Sequence, residues 1–190
     1  MPEFVFGTAE TEQDYWEVLA LRHLAYKAAG KVSENSDPSD LGDEFDARSI
    51  VVTVRENGKL VASARIAVLR DGDTTDHGRY AVFPADFPPL SQLMESSRVC
   101  TDPAHRGNGL FPKIMAHLMR LAVANDRRYV FGGAAGTLIP MYERYGAKVI
   151  GEPYRNPSLS GIEHRLILLD APGILEGRGV SPELWARVYA

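Results

Sequence analysis

The first part of the chain carries the pattern of one helix followed by a polar loop. Thr11 is followed three residues later by Asp14, which is the spacing of a capped helix start, and Gly30 is a typical helix end. A helix is therefore predicted between Thr11 and Gly30. Residues 31–47 are polar, contain an Asp-Pro pair and are predicted to form a loop.

A β-hairpin is predicted after this loop. Ser49–Arg55 and Lys59–Leu69 are apolar or alternating runs, and Glu56-Asn57-Gly58 separates them. Asn-Gly between two such runs is the strongest short-range signal for a tight hairpin. Residues 71–90 are rich in Asp, Gly and Pro and are predicted as a second long loop, and loops of this length are usually functional or mobile.

The second half of the chain alternates strands with helices. A strand is predicted over Met94–Thr101 and a helix over about Gly109–Asn125, where apolar residues recur at helical spacing. Further strands are predicted at Tyr129–Phe131, Ala147–Ile150 and Glu163–Leu169, and further helices at Thr137–Tyr145 and from Ser181 onward. This order indicates an α/β domain in which residues 171–190 form a C-terminal extension with a short helix.

Composition and charge narrow the class of protein. The 190 residues are 45% hydrophobic and 24% charged, which excludes a disordered tail, a collagen or a coiled-coil rod. The net charge of −4 argues against non-specific binding to nucleic acid. No apolar run is long enough for a transmembrane segment and the chain start shows no secretory signal, so a cytoplasmic location is expected.

Several kinds of catalytic chemistry find no support in the residue pattern. Cys100 is the only cysteine, so no disulfide and no Cys-based zinc site is expected, and it is predicted to be a buried strand residue. The five histidines lack metal-ligand spacing, so no metal is expected. Ser96 and Ser97 lack the Gly-x-Ser-x-Gly turn of serine hydrolases.

A glycine-rich turn lies where the predicted strand meets the predicted helix, in the stretch Asp102-Pro103-Ala104-His105-Arg106-Gly107-Asn108-Gly109-Leu110. Glycines let successive backbone N–H groups face a ligand, and a helix start favours an anion. Arg106 adds a fixed positive charge that suits a diphosphate. On the two glycines alone, an ordinary strand–turn–helix connection is an equally good interpretation.

Two motifs in this half resemble the GNAT N-acyltransferases. Pro103-x-x-Arg106-Gly107-x-Gly109 is similar to their acyl-CoA pyrophosphate loop, Arg/Gln-x-x-Gly-x-Gly/Ala, with Phe111 in place of the final small residue. Pro140–Ala147 is similar to the helix of that family that ends in Tyr-x-x-x-Gly-Phe. The matches cover about residues 93–150.

The resemblance implies a fold and a set of donor contacts. The fold is a single GNAT-type domain over residues 1–190, with a central mixed, mostly antiparallel, twisted sheet that is splayed in the middle and flanked by helices. The acyl donor is expected to contact Val99, Cys100, Thr101, Arg106, Gly107, Asn108, Gly109, Leu110 and Phe111.

A set of charged and aromatic residues precedes these motifs: Arg22, Tyr26, Asp43, Asp46, Arg65, Glu95 and Arg98. Arg22 and Tyr26 are neighbours on the first predicted helix. In order and spacing the set resembles the acyl-homoserine-lactone synthases and the related N-acyl amino acid synthases, which are GNAT-fold enzymes that place a long acyl chain on an amino group. The resemblance implies that Arg22, Tyr26, Asp43, Asp46, Arg65 and Arg98 bind substrate, and a structural charge network is the alternative.

The same resemblance implies a kink in the strand before the glycine turn. Glu95 and Arg98 are three residues apart, which places them on opposite faces of a regular strand. A bulge between them would bring both to one face, and bulges are common beside active sites. We expect the kink near Arg98–Thr101.

Acyl transfer to an amine needs a base, a polarised carbonyl and an acid for the leaving thiolate. Glu95 is the candidate base, and the alternative is a structural partner of Arg65 or Arg98. Tyr142 is the candidate acid, and the alternative is core packing. A backbone N–H near Val99–Thr101 is expected to hold the carbonyl oxygen, as in the family.

The predicted function is an N-acyltransferase that moves an acyl group from acyl-CoA or an acyl carrier protein to a primary amine of a small molecule such as an amino acid. An acetyl donor suits the intact glycine turn, and a longer chain on a carrier protein suits the charged set. No prosthetic group is expected, and the motifs leave a homodimer open. A non-catalytic acyl-CoA-binding sensor or interaction domain of the same fold is the alternative function.

Overall fold

The computed structural model describes residues 3–190. Met1 and Pro2, part of the chain start in which no secretory signal is expected, lie outside the described residues. Strand β1 (Phe4–Thr8) pairs in antiparallel fashion with β2 (Ile50–Glu56). The sequence analysis missed β1, because five residues with a glycine among them give too short an alternation to recognise and the strand forms by pairing with distant residues.

The predicted hairpin is confirmed. Strand β3 (Lys59–Val68) follows β2 and pairs with it in antiparallel fashion. The two turn residues, Asn57 and Gly58, have φ angles of 51° and 81°. Positive φ at both central positions is the type I′ geometry whose twist matches that of the flanking strands.

Four more strands complete a seven-stranded mixed sheet: β4 (Leu93–Thr101), β5 (Tyr129–Ala135), β6 (Lys148–Arg155) and β7 (Glu163–Asp170). The order is β1-β2-β3-β4-β5-β7-β6, and β7 pairs in antiparallel fashion with both β5 and β6. Strands β5 and β6 continue beyond their predicted ends, because glycine and proline hide the apolar alternation there.

The predicted helices form close to their expected positions: α1 (Glu12–Lys27), α2 (Leu110–Ala124), α3 (Ile139–Arg144) and, near the chain end, α5 (Pro182–Val188). A further short helix, α4 (Ala171–Leu175), was not predicted. The capping box between Thr11 and Asp14 is present. Ser181 caps α5 and Pro182 is its first residue. The extension thus contains two short helices, where one was predicted.

The chain divides into two compact units by its internal contacts. The first comprises residues up to Ala67 together with Ser96–Leu110 and Pro157–Ser160. Its core packs one face of α1 against the sheet, and the buried side chains include Val18, Leu21, Val51, Leu60 and Cys100. The second comprises Val68–Glu95, Phe111–Asn156 and Gly161–Ala190.

The second unit has its own buried side chains, and the C-terminal extension belongs to it. Met119, Phe131 and Leu166 are fully buried there. The Trp185 indole donates to the carbonyl oxygen of Leu175, and the Tyr189 hydroxyl donates to that of Tyr145. The first bond joins the two helices of the extension, and the second attaches the extension to the end of α3. Within the described residues, no helix combines the length and the apolar composition needed to span a membrane.

Candidate active site

A buried ion pair joins α1 to the loop that follows it. The Arg22 side chain is completely buried, and its two terminal nitrogens donate to the two carboxylate oxygens of Asp46 at 2.9 and 2.8 Å. The same guanidinium donates to the carbonyl oxygen of Leu41 at 3.1 Å. A two-pronged contact of this kind fixes orientation as well as charge. It orders the polar loop that the sequence analysis placed at residues 31–47.

Asp43 bridges two further arginines of the predicted set. Arg65 donates to one of its carboxylate oxygens and Arg98 donates to the other at 2.9 Å. An Arg65 nitrogen also lies 3.6 Å from a carboxylate oxygen of Asp46, which connects the two acids through one guanidinium. The structure thus brings together five of the predicted residues, here called the charged cluster: Arg22, Asp43, Asp46, Arg65 and Arg98.

The expected kink in β4 occurs at Arg98. Its φ angle is 54°, a left-handed conformation that a non-glycine residue rarely adopts. Adjacent residues of a regular strand point to opposite faces. Here Ser97 accepts a hydrogen bond from Arg65 at 2.9 Å, while Arg98 reaches Asp43, which Arg65 also binds. The strained residue therefore places two successive side chains on the charged cluster.

The arginines keep both acids of the charged cluster ionised. Burial by itself would raise the pKa of Asp43, but Arg65 and Arg98 bring it below the ordinary value. Burial opposes ionisation of Asp46 in the same way, and Arg22 lowers its pKa below the ordinary value. Three guanidinium groups and two carboxylates leave the cluster with an excess of one positive charge.

Tyr15 is a member of this site that the sequence analysis missed. Its hydroxyl donates to Asp46 at 2.8 Å, and burial together with this carboxylate raises its pKa to about 12. Tyr15 precedes Arg22 by seven residues, two helical turns, so both lie on one face of α1. That spacing is the signal that could have identified it.

Tyr26 lies in the last turn of α1 beside the Lys31 side chain. Its side chain is buried, and the Lys31 ammonium lies 5.4 Å from the centre of its ring. Burial lowers the pKa of Lys31, and the positive charge of Arg106 lowers it further. Arg106 donates to the carbonyl oxygen of Ala25 at 3.3 Å. The last turn of α1 is therefore in contact with the glycine turn.

Both glycines of the glycine turn have left-handed backbone angles. Gly107 and Gly109 have φ angles of 83° and 74°, which other residues adopt only with strain. A Cβ atom at either position would meet no atom within 4 Å, so these glycines face open space. Asp102 anchors the start of the turn by accepting from the backbone N–H of Ala104 and from Lys59, each at 2.9 Å.

The other residues of the first unit that were predicted to contact the acyl donor lie in this turn or next to it. Val99 and Thr101 are half-buried in β4, Asn108 is exposed and Leu110 is buried at the start of α2. Cys100 is buried in the core, as predicted, and burial raises the pKa of its thiol to about 11. A thiol that stays protonated at neutral pH is a poor nucleophile.

Glu95 is a buried carboxylate in the second unit. It is 2% exposed, and its two oxygens accept hydrogen bonds from the backbone N–H groups of Asp76 and His77 at 3.0 and 2.9 Å. The second predicted loop, residues 71–90, is thus fixed to β4 at this point. Each oxygen retains a second lone pair for another donor.

Tyr142, on α3, packs against the residue that departs from the pyrophosphate motif. The ring of Phe111 meets the rings of Tyr142 and Tyr145 edge-on, with ring centres 5.3 Å apart in each pair. Edge-to-face geometry is favourable between aromatic rings. Phe111 therefore joins α2 to α3, and Tyr142 is half-buried beside it.

Comparison with known families identifies the chain. The family model described as the N-acyl amino acid synthase FeeM matches residues 17–170, which is most of the chain. The chain belongs to the FeeM family. It is therefore an acyltransferase, as members of the FeeM family are. A comparison with curated proteins gives no match.

Several solved structures share the fold of this chain. FeeM from uncultured soil microbes has a TM-score of 0.65 at 11% identity and covers 94% of this chain and 96% of its own. TofI has a TM-score of 0.67 at 19% identity and covers 96% and 99%. YncA of Salmonella typhimurium, solved with acetyl-CoA, has a TM-score of 0.60 at 18% identity and covers 88% and 94%. These matches confirm the predicted GNAT fold.

Among residues 3–190, no group of three or more His, Cys, Asp or Glu side chains is arranged to hold a metal ion.

The described site residues fall into two sets. The charged cluster, Tyr26 and the glycine turn belong to the first unit, and Glu95, Phe111 and Tyr142 belong to the second.

Proposed function

We propose that this FeeM-family enzyme transfers an acyl group from acyl-CoA to the primary amine of a small molecule such as an amino acid. The glycine turn is the observation that carries the choice of donor. Coenzyme A contains a diphosphate, whereas the prosthetic arm of an acyl carrier protein has a single phosphodiester. Two left-handed glycines that face open space, followed by a 15-residue helix and preceded by exposed Arg106, suit the diphosphate.

The charged cluster supports a zwitterionic acceptor. It presents both signs of charge from groups held in fixed positions, and Arg98 and Asp43 are its most exposed members, with side chains that are 11% and 13% exposed. An amino acid carries one carboxylate and one ammonium group and can meet both signs at such a surface. Arg65 holds Asp43 in an ion pair, and we propose a substrate-binding role for Arg22, Tyr26, Asp46 and Arg65 as well.

Glu95 and Tyr142 are proposed as base and acid. Glu95 takes the proton from the ammonium group, directly or through water, and the amine nitrogen then attacks the thioester carbon. Collapse of the intermediate breaks the carbon–sulfur bond, Tyr142 donates its proton to the leaving thiolate, and the second proton lost by the nitrogen returns to the Tyr142 oxygen. A backbone N–H in Val99–Thr101 is proposed to stabilise the carbonyl oxygen. The fixed position of Glu95, set by two amide donors, supports this assignment.

A thiol-release assay tests the proposal. Purified protein is supplied with acetyl-CoA, with a long-chain acyl-CoA and with a long-chain acyl carrier protein, each against a panel of amino acids and amines. We expect release of free CoA that depends on the amine. Release from the carrier protein only would overturn the donor, and binding of acyl-CoA without release would show a sensor. A cytoplasmic location and a homodimer remain proposals.

A further inference from the structure

A second buried polar network lies in the second unit, around His77. Its ring nitrogen Nε2 accepts a hydrogen bond from the backbone N–H of Gly133 in β5 at 3.0 Å. Its other ring nitrogen, Nδ1, lies 3.2 Å from the hydroxyl oxygen of Tyr154 in β6. His77 and Tyr154 are each 8% exposed. The backbone N–H of His77 binds Glu95, so one residue connects this network to the proposed base.

The Gly133 contact decides where the protons of this network are. A backbone N–H is always a donor, so Nε2 of His77 must be unprotonated and the neutral ring carries its proton on Nδ1. Nδ1–H then donates to the Tyr154 oxygen. The Tyr154 hydroxyl proton must therefore point elsewhere, and within residues 3–190 the hydroxyl has no hydrogen-bond partner besides His77.

Gly133 makes this arrangement possible. A Cβ atom at position 133 would overlap the Tyr154 hydroxyl and would come within 3.0 Å of the His77 ring. The glycine in β5 therefore allows the ring and the hydroxyl to lie directly over the strand. A buried donor without an acceptor costs free energy. This cost would be removed if a bound substrate supplied the acceptor.

The surroundings of Tyr154 restrict the kind of acceptor its proton can meet. Burial raises the pKa of this hydroxyl above its ordinary value, and the nearby carboxylates of Asp76 and Glu95 raise it further. The phenol therefore remains protonated and acts as a donor. The same two carboxylates repel an anion, so an uncharged oxygen fits this position better than a carboxylate does.

We propose that Tyr154 is a specificity-determining residue whose hydroxyl, oriented by His77, donates a hydrogen bond to an uncharged oxygen of the amine acceptor. Such an oxygen belongs to a hydroxyl group or an amide carbonyl. The inference rests on the proposed function, because it assumes that the amine is bound near Glu95. It adds a contact that selects among amines and takes no part in proton transfer.

Matched pairs of acceptors test this contact. One pair is tyramine and phenethylamine and the other is serine and alanine, and the members of each pair differ only by a hydroxyl. We expect the wild-type protein to have the higher kcat/KM for the member that carries the uncharged oxygen. In Tyr154→Phe this preference should fall by about 3- to 10-fold for at least one pair, which is the range for one neutral hydrogen bond. Tyr189→Phe is the control, since Tyr189 is also buried but its hydroxyl donates to the carbonyl oxygen of Tyr145.

The tautomer of His77 is tested separately by ¹⁵N NMR of the histidine ring, with the signal assigned by its loss in His77→Gln. We expect protonated Nδ1 and unprotonated Nε2, and the opposite tautomer would overturn the orientation of the hydroxyl. Unchanged acceptor preference in Tyr154→Phe for both pairs would overturn the contact itself. If the wild-type protein acylates no amine, the proposed function fails and the inference fails with it, whichever tautomer is observed.

Discussion

Replacement of Asp46 by Asn tests whether the charged cluster holds the first unit together. Asp46 accepts both terminal nitrogens of the fully buried Arg22 and also the hydroxyl of Tyr15. Asn has nearly the same shape but no charge. Its amide oxygen can accept a hydrogen bond, whereas its amide nitrogen can only donate. The variant therefore leaves the Arg22 guanidinium buried, with the carbonyl of Leu41 and a single amide oxygen as its acceptors.

The expected loss of stability is large because Arg22 has no access to water. Removal of one partner from a buried pair typically costs about 3–5 kcal/mol, whereas loss of an exposed pair costs about 0–1 kcal/mol. The matched control is Glu34→Gln, which removes the carboxylate of the exposed pair with Lys27. We expect the two variants to differ by at least about 2 kcal/mol in free energy of unfolding.

Urea denaturation followed by circular dichroism measures this difference. A double variant, Arg22→Met with Asp46→Asn, removes the buried charge as well and should recover part of the loss. If Asp46→Asn lost less than about 1 kcal/mol, the pair would contribute no more than a surface contact does and our account of the cluster would be wrong.

The dependence on pH provides a second readout for the same variant. The pKa of Asp46 is lowered in the folded protein, so its contribution to stability is fully present above the unfolded pKa of about 4. The contribution is lost as the pH falls through the folded value. The stability difference between wild type and Asp46→Asn should therefore be constant near neutral pH and shrink below about pH 4. A difference that grows on acidification would contradict the assignment.

Three further variants address donor binding and catalysis. Arg106→Ala should weaken donor binding by about 1.5–3 kcal/mol, seen mainly as a higher KM for the donor, and unchanged donor affinity would remove the pyrophosphate-loop assignment. Tyr142→Phe should lower kcat by about 10²–10⁴-fold with little change in stability, and equal turnover would show that Tyr142 only packs against Phe111. Glu95→Gln should lower kcat to a similar extent and flatten the acidic limb of the pH–rate profile, with the melting temperature measured in parallel. An acidic limb that survives this change would exclude Glu95 as the base.

The local elements of this protein could be predicted from the sequence because their signals lie within a few residues. The capping box at Thr11, the Asn57-Gly58 turn and the Ser181-Pro182 helix start all formed as expected. Each depends on a hydrogen bond or a φ preference that a short stretch satisfies by itself. The edge strand β1 has no such local signal, and it was missed for that reason.

The candidate site was predictable as a set of residue types but not as an arrangement. The order of Arg22, Asp43, Asp46, Arg65 and Arg98 suggested a family, yet the sequence left open whether they bind substrate or only one another. Arg22 and Asp46 are 24 residues apart, and Arg98 and Asp43 are 55 residues apart. Only the fold could show that these groups form one network around two shared carboxylates.

The sequence by itself determined the secondary structure around each motif, the family resemblance and the glycine turn, because backbone preferences act over short distances. The tertiary structure decided the left-handed kink at Arg98, the recruitment of Tyr15 and the direction of the Tyr154 proton. Each of these depends on burial, which makes an unpaired charge or donor costly and so selects partners from distant parts of the chain.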